Sequence, residues 1–220
     1  MRAFEEELNV LNSALQEMGA LVAESVHRSV LSLEEKNEDY AHQVLRDESR
    51  IDQMEIQIDD MATSLIVRDQ PVASDMRFVV TAIKINTDLE RMGDLAVNVV
   101  ERSLSLMRQQ DVPGPVSFKE LSGLVESMVL GCLDAFVQRD AEKARSILHS
   151  DDVVDKLRND INRQMVALMQ SDPSYIQRAL DHIFIARSLE RIADHATNVA
   201  EDVIFMVSAK DVRHHAQEGG

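Results

Sequence analysis

The sequence predicts an all-α protein in which two three-helix bundles follow each other in tandem and are related by internal duplication. Gly, Pro and aromatic residues are scarce, Trp is absent, and helix-forming residues dominate. Apolar residues recur every three or four positions over long segments, as expected for helices that pack through one stripe. In addition, the pattern of residues 83–106 recurs at residues 183–206.

The first half is predicted to contain three long helices. A polar segment at residues 34–40 separates the first from the second. Pro71 separates the second from the third, because proline lacks an amide donor and disfavours helical geometry in the residue before it. The predicted helices span residues 4–34, 39–67 and 72–109.

The second half repeats the first after a linker that contains proline and glycine, at residues 111–116. The turn at Asn37 matches Asp140, 103 residues later, and the third helices match at an offset of 100. A repeat of this length is too long for a solenoid unit and suits an independent three-helix bundle. We therefore predict a first bundle at residues 1–110, a second at 117–210 and a flexible tail at 211–220.

Composition and charge exclude several classes of protein. The net charge of -16 at pH 7 argues against nucleic-acid binding, because phosphates would be repelled. The single cysteine, Cys132, forms no internal disulfide and fits a reducing compartment. No segment resembles a signal peptide or the roughly 20 apolar residues that span a bilayer. These features predict a soluble cytoplasmic protein.

Enzymatic activity is not predicted. A di-iron carboxylate bundle requires Glu-x-x-His on two helices with inward-pointing ligands. Only Glu24 with His27 has that spacing here, and the repeated acids point away from the apolar stripe. The sequence has no glycine-rich phosphate loop and no Ser/His or Cys/His arrangement that suggests a nucleophile.

Pairs of acidic residues four positions apart recur in both halves. Such residues lie about 5–6 Å apart at Cβ on a helix, so their like charges repel. Carboxylates from neighbouring helices suit hard cations, which would offset this repulsion. The alternative is a solvated acidic surface eased by nearby arginines, but the recurrence in both halves favours metal binding. The pairs are Glu48 with Asp52, Glu90 with Asp94, Asp151 with Asp155, and Glu190 with Asp194.

The motifs LERMGD and LERIADHATNVAED each follow a helix that bears an acidic pair and a proline, and they resemble the PhoU family of phosphate-transport regulators. The resemblance covers nearly the whole chain. It implies that the eight paired acids bind multinuclear metal clusters, with iron favoured and zinc, manganese or magnesium as alternatives. His195 replaces Leu95 of the first half. It could add a nitrogen ligand that favours zinc or iron, although a surface or packing role is the favoured interpretation.

The same resemblance implies a regulatory function. It implies negative control of phosphate uptake and of the phosphate-starvation regulon, through contact with the ATPase of the Pst transporter and with the PhoR sensor kinase. It also supports a homodimer. The alternative is a metal-free helical adaptor whose acidic surface binds basic partners.

Overall fold

The computed structural model describes residues 2–109, 112 and 116–208, and it confirms the predicted all-α fold. The predicted tail at 211–220 lies outside the described residues, as does the predicted linker at 111–116 except for Val112 and Val116. None of the described helices has an apolar stretch long enough to span a bilayer. The helices are α1 (Arg2–Glu34), α2 (Glu38–Asp69), α3 (Ala73–Met107), α4 (Lys119–Gln138), α5 (Ala141–Ser171) and α6 (Ile176–Ser208), with a 3-10 turn at Pro173–Tyr175.

The turn between the first two helices of each half is duplicated in detail. Lys36 and Arg139 adopt left-handed backbone geometry, with φ of 50° and 53°. The next residues, Asn37 and Asp140, cap α2 and α5, and their side chains accept hydrogen bonds from backbone amides of the first helical turn. Such caps satisfy amide donors that have no partner within the helix. The predicted match of these two turns is therefore confirmed.

The helix ends differ slightly from the predicted ones. Helix α2 continues to Asp69, and Gln70 adopts left-handed geometry, with φ of 44°, just before Pro71. Helix α3 ends at Met107 rather than at residue 109. The larger difference lies at α4, which has 20 residues where α1 has 33. The first described helix of the second half is therefore 13 residues shorter than that of the first half.

The two bundles share one core. Helix α2 packs on α1 and α3, α5 packs on α4 and α6, and the halves join through α1 with α4 and α3 with α6. Phe78 of α3 stacks on Phe136 of α4, with 4.7 Å between ring centroids. Leu95 and Val100 of α3 are buried although they lie outside the repeated stripe. The bundles are therefore not independent, because a second apolar face on α3 needs cover from the other half.

Helices α3 and α6 cross with approximate two-fold symmetry. Lys84 Nζ lies 2.8 Å from Asp202 Oδ1. At the other end of the crossing, the guanidinium of Arg102 lies 5.0 Å from the ring centroid of Phe184. Lys84 corresponds to Phe184 in the repeat and Arg102 to Asp202, so both contacts join equivalent positions. Helix α2 packs mainly against α1 and α3, and α5 packs mainly against α4 and α6, so each of these two helices lies chiefly within its own half.

Candidate metal centre

Acidic residues of α2 and α3 converge on one surface of the first half. We define the first acidic face as Asp52 and Glu55 of α2 together with Glu90 and Asp94 of α3. Glycine at position 93 allows the two helices to approach closely. A Cβ atom at Gly93 would lie 3.0 Å from Cδ1 of Ile51, which is tighter than ordinary van der Waals contact. The glycine of the LERMGD motif therefore helps to bring the acids of the two helices together.

Electrostatic coupling shows that the acids of the first face lie near one another. Burial raises the pKa of Glu90, and the charges of Asp94, Glu55 and Asp52 raise it further, while Arg91 opposes them. Burial also raises the pKa of Asp94, with a contribution from Asp52 on the facing helix. Repulsion between carboxylates on α2 and α3 makes the face a site where a cation would be favourable.

Glu55 completes this face, although the sequence comparison did not select it. Burial raises the pKa of Glu55, followed by the charges of Asp59, Asp52 and Asp94. Glu55 and Asp59 have the same four-residue spacing as the predicted pairs. They were missed because only pairs present in both halves were selected, and positions 158 and 162 are arginine and asparagine. The spacing alone would have found them.

A buried asparagine fixes the register of the two helices. Asn86 of α3 is fully buried, and its Nδ2 donates to the carbonyl oxygen of Glu55 at 2.8 Å and to Asp59 Oδ1 at 3.0 Å. This amide holds α3 against α2 one turn before Glu90. The predicted ligand Glu48 lies half-buried on α2, one turn before Asp52.

The corresponding acids of the second half also converge. We define the second acidic face as Asp151 and Asp155 of α5 with Glu190 and Asp194 of α6. Burial raises the pKa of Asp151, and Asp194, Asp155 and Asp152 add to the shift. Burial likewise raises the pKa of Asp194, with further contributions from Glu190 and Asp155. All four predicted acids therefore belong to one surface.

An arginine lies within the second face. Arg158 Nη2 donates to Asp155 Oδ1 at 2.8 Å and to Glu190 Oε1 at 3.1 Å. Its charge acts on Asp194 in the direction that lowers the pKa of that carboxyl, against the larger effect of burial. Arg158 was also missed, although it lies 103 residues after Glu55 and the repeat offset reveals the exchange.

His195 is directed toward the interface between the halves. Its Nδ1 lies 2.8 Å from Asp88 Oδ1 of α3, and the two side chains are only 14% and 13% exposed. This contact agrees with the packing role favoured from the sequence. Cys132 is fully buried, and burial raises the pKa of its thiol to about 12, so the thiolate form that binds metals is strongly disfavoured.

The two faces offer different side chains to a metal ion. Within residues 2–109, 112 and 116–208, no three His, Cys, Asp or Glu side chains are positioned to enclose a metal ion. The first face nevertheless offers carboxylates alone, the donor set that hard cations prefer. The second face combines carboxylates with a guanidinium. Metal binding by the eight predicted acids stays a prediction.

Known proteins resemble this chain over nearly its whole length. The PhoU domain family matches residues 15–103 and 118–203. The phosphate-specific transport system accessory protein PhoU homolog of Pseudomonas aeruginosa is 40% identical over 212 residues, which cover 96% of this chain and 88% of that protein. The PhoU homolog 1 of Thermotoga maritima is 34% identical, with 96% and 91% covered.

Solved structures also resemble this chain over nearly its whole length. The crystal structure of PhoU from Pseudomonas aeruginosa superimposes with a TM-score of 0.90 at 38% identity, covering 94% of this chain and 100% of that one. PhoU from Streptococcus pneumoniae superimposes with a TM-score of 0.86 at 26% identity, covering 95% and 99%. The duplicated helical fold and these matches agree, and the chain belongs to the PhoU family.

Proposed function

We propose that this chain is a regulatory accessory protein of phosphate transport that binds metal ions at its acidic surface. Membership of a family whose relatives are named as accessory proteins of phosphate-specific transport supports the regulatory role. The observation that supports metal binding is the convergence of Asp52, Glu55, Glu90 and Asp94 from two helices. Their repulsion makes the first acidic face the site where a cation stabilises the fold most directly.

The proposed metal is iron, with zinc, manganese and magnesium as alternatives. A metal ion bound at the first face would add positive charge beyond that of Arg91, whose charge already acts on Glu90. The carboxylates of α2 and α3 would hold it, while Asn86 and the close approach at Gly93 keep the two helices in register.

Thermal melting with added Mn²⁺ or Fe²⁺ tests metal binding. At a metal concentration about 100-fold above Kd, binding should raise the Tm of the wild type by roughly 5–10 °C. Glu90→Ala combined with Asp94→Ala should remove this rise. Glu101→Ala is the matched control, because Glu101 is an exposed acid of the same helix. If neither metal shifts the Tm of the wild type, the metal-free adaptor becomes the better description.

The proposed regulation is repression of phosphate uptake and of phosphate-starvation signalling, exerted in the cytoplasm by contact with the ATPase of the Pst transporter and with the PhoR sensor kinase. The first acidic face, on α2 and α3, and the second, on α5 and α6, are the surfaces proposed for these contacts. Co-purification with each partner should fall when Glu90 and Asp94 are both replaced by alanine. Equal recovery of the partners with wild type and variant would remove the first face from partner binding.

The chain is also proposed to act as a homodimer. Large apolar side chains remain exposed on α2, where Ile56 is 62% and Val67 is 72% exposed. A second copy that covered such residues would gain hydrophobic stabilisation. Light scattering on the purified protein should give twice the chain mass of 24.8 kDa. A monomeric mass at all concentrations would contradict the proposal.

A further inference from the structure

Among the equivalent positions at which the two acidic faces differ, one reverses the sign of a charge that lies within the face. Glu55 occupies this position on α2 and Arg158 occupies it on α5. The neighbouring arginines do not explain a difference between the faces, because Arg91 and Arg191 are exposed at matched positions of α3 and α6. The exchange at positions 55 and 158 therefore distinguishes the two faces.

Arg158 makes the contacts that a bridging cation would make. One nitrogen of its guanidinium joins Asp155 of α5 to Glu190 of α6, at 2.8 and 3.1 Å. The side chains of Arg158 and Glu190 are 25% and 19% exposed, so the pair is partly shielded from water. Charge-assisted hydrogen bonds of this kind are stronger than neutral ones. Two carboxylates from two helices are thus already held by a positive charge.

We propose that Arg158 is the built-in cation of the second acidic face, so that metal binds at the first face and not at the second. This inference rests on the proposed metal binding at the first face. A metal ion entering the second face would have to break the two hydrogen bonds that Arg158 donates to Asp155 and Glu190, and it would remain close to the positive guanidinium. The guanidinium is covalently attached to α5, so it competes with any free cation at a high effective concentration.

The residue at this position consequently sets where the protein binds metal. Glutamate at position 55 adds a donor oxygen and a negative charge to Asp52, Glu90 and Asp94. Arginine at position 158 provides no oxygen that could bind a metal ion, and its guanidinium supplies the positive charge itself. In the duplicated fold, the carboxylates of the first face would then be balanced by an external cation, and those of the second face by Arg158.

Reciprocal substitutions test this inference by measuring bound Mn²⁺ per chain at equilibrium. Arg158→Glu should nearly double the Mn²⁺ bound by the wild type, and Glu55→Arg should abolish it. In the wild type, Asp52→Asn with Glu90→Gln should remove the bound Mn²⁺, whereas Asp155→Asn with Glu190→Gln should not. Equal loss of Mn²⁺ in both of these double variants, or no gain in Arg158→Glu, would overturn the inference.

Melting in chelator separates this inference from the proposed metal binding. Without metal, Arg158→Gln should lower the Tm by roughly 2–4 °C, because Asp155 and Glu190 lose their shared cation. Glu55→Gln should not lower the Tm, because it removes a repelling charge. If the wild type binds neither Mn²⁺ nor Fe²⁺, the proposed metal binding fails, and the melting curves in chelator still decide on the role of Arg158. Equal Tm values for Arg158→Gln and wild type would then refute its role as a cation.

Discussion

Single residues determine the charge balance of the two acidic faces. Glu55, Glu90 and Asp94 have raised pKa values because α2 and α3 partly bury them and hold their charges together. Raised carboxyl pKa values mean that the folded protein binds more protons than the unfolded chain in the interval between the two values. The stability gained by protonation is complete below the unfolded pKa and is lost as the pH rises through the folded pKa.

The upward direction of these pKa shifts predicts how the stability of the metal-free protein depends on pH. Glu55→Gln combined with Glu90→Gln should raise the Tm relative to wild type at pH 7, because two repelling charges are removed. The difference should shrink as the pH falls toward and below 4.5, the ordinary pKa of glutamate, because the raised pKa values of Glu55 and Glu90 favour their protonated forms in that direction. Melting curves in chelator between pH 4 and 8 measure this difference.

The matched control for the pH series is Glu101→Gln, since Glu101 is an exposed acid of α3. Its Tm should follow that of the wild type across the series. A difference between the double variant and wild type that stays constant with pH would show that charge repulsion at the first face is not its cause.

At the scale of helices, periodicity predicted the elements but not how closely they approach. Gly19 of α1 faces Leu133 of α4, and a Cβ atom at position 19 would overlap the side chain of Leu133. Gly123, in α4, would meet no atom within 4 Å. Both residues lie inside helices, where the intrinsic effect of glycine is the same. A difference between the effects of alanine substitutions at Gly19 and Gly123 therefore reports on the contact between α1 and α4.

Alanine substitutions at these two glycines should have opposite effects. Gly123→Ala should stabilise the protein by about 0.5–1 kcal/mol, because alanine loses less conformational entropy in a helix. Gly19→Ala should destabilise it by about 1–3 kcal/mol, because the added methyl group overpacks the contact with Leu133. Urea denaturation measures both changes. Equal stabilisation by the two substitutions would show that α1 and α4 are free to separate slightly.

At the scale of the whole molecule, the halves are joined by a continuous core. The stacked rings of Phe78 and Phe136 lie in different halves, and both are almost completely buried. Lys84 with Asp202 and Asp88 with His195 join α3 to α6 beside that core. Because each half covers apolar surface of the other, we expect the two halves to unfold together.

Phe136→Ala tests this cooperativity. Removing a buried aromatic ring should cost about 3–5 kcal/mol, and calorimetry should still show a single transition at a lower Tm. Hydrogen exchange should become faster in α2 and α3 as well as in α4 to α6. Leu130→Ala is the control, because Leu130 lies on the same helix, is 49% exposed and should change stability by less than about 0.5 kcal/mol. Two separate transitions would contradict a shared core.

The sequence alone predicted the helical class, the duplication, the matched turns at Asn37 and Asp140, and the paired acids. These features are local or periodic. The spacing of apolar residues indicates helices, and a helix cap depends only on residues within one turn. A duplication is found by comparing one part of the sequence with another. The motif resemblance also predicted the family, which the comparisons confirmed.

Only the tertiary structure decided which acids meet and what lies between them. Glu55 joins the first face, and Arg158 bridges the second, because α2 meets α3 and α5 meets α6 at a particular rotation and separation. The burial of Leu95 and Val100 and the stacking of Phe78 on Phe136 likewise depend on helices from different halves. Such contacts join residues far apart in the chain, so helical periodicity fixes which side a residue faces but not which partner it meets.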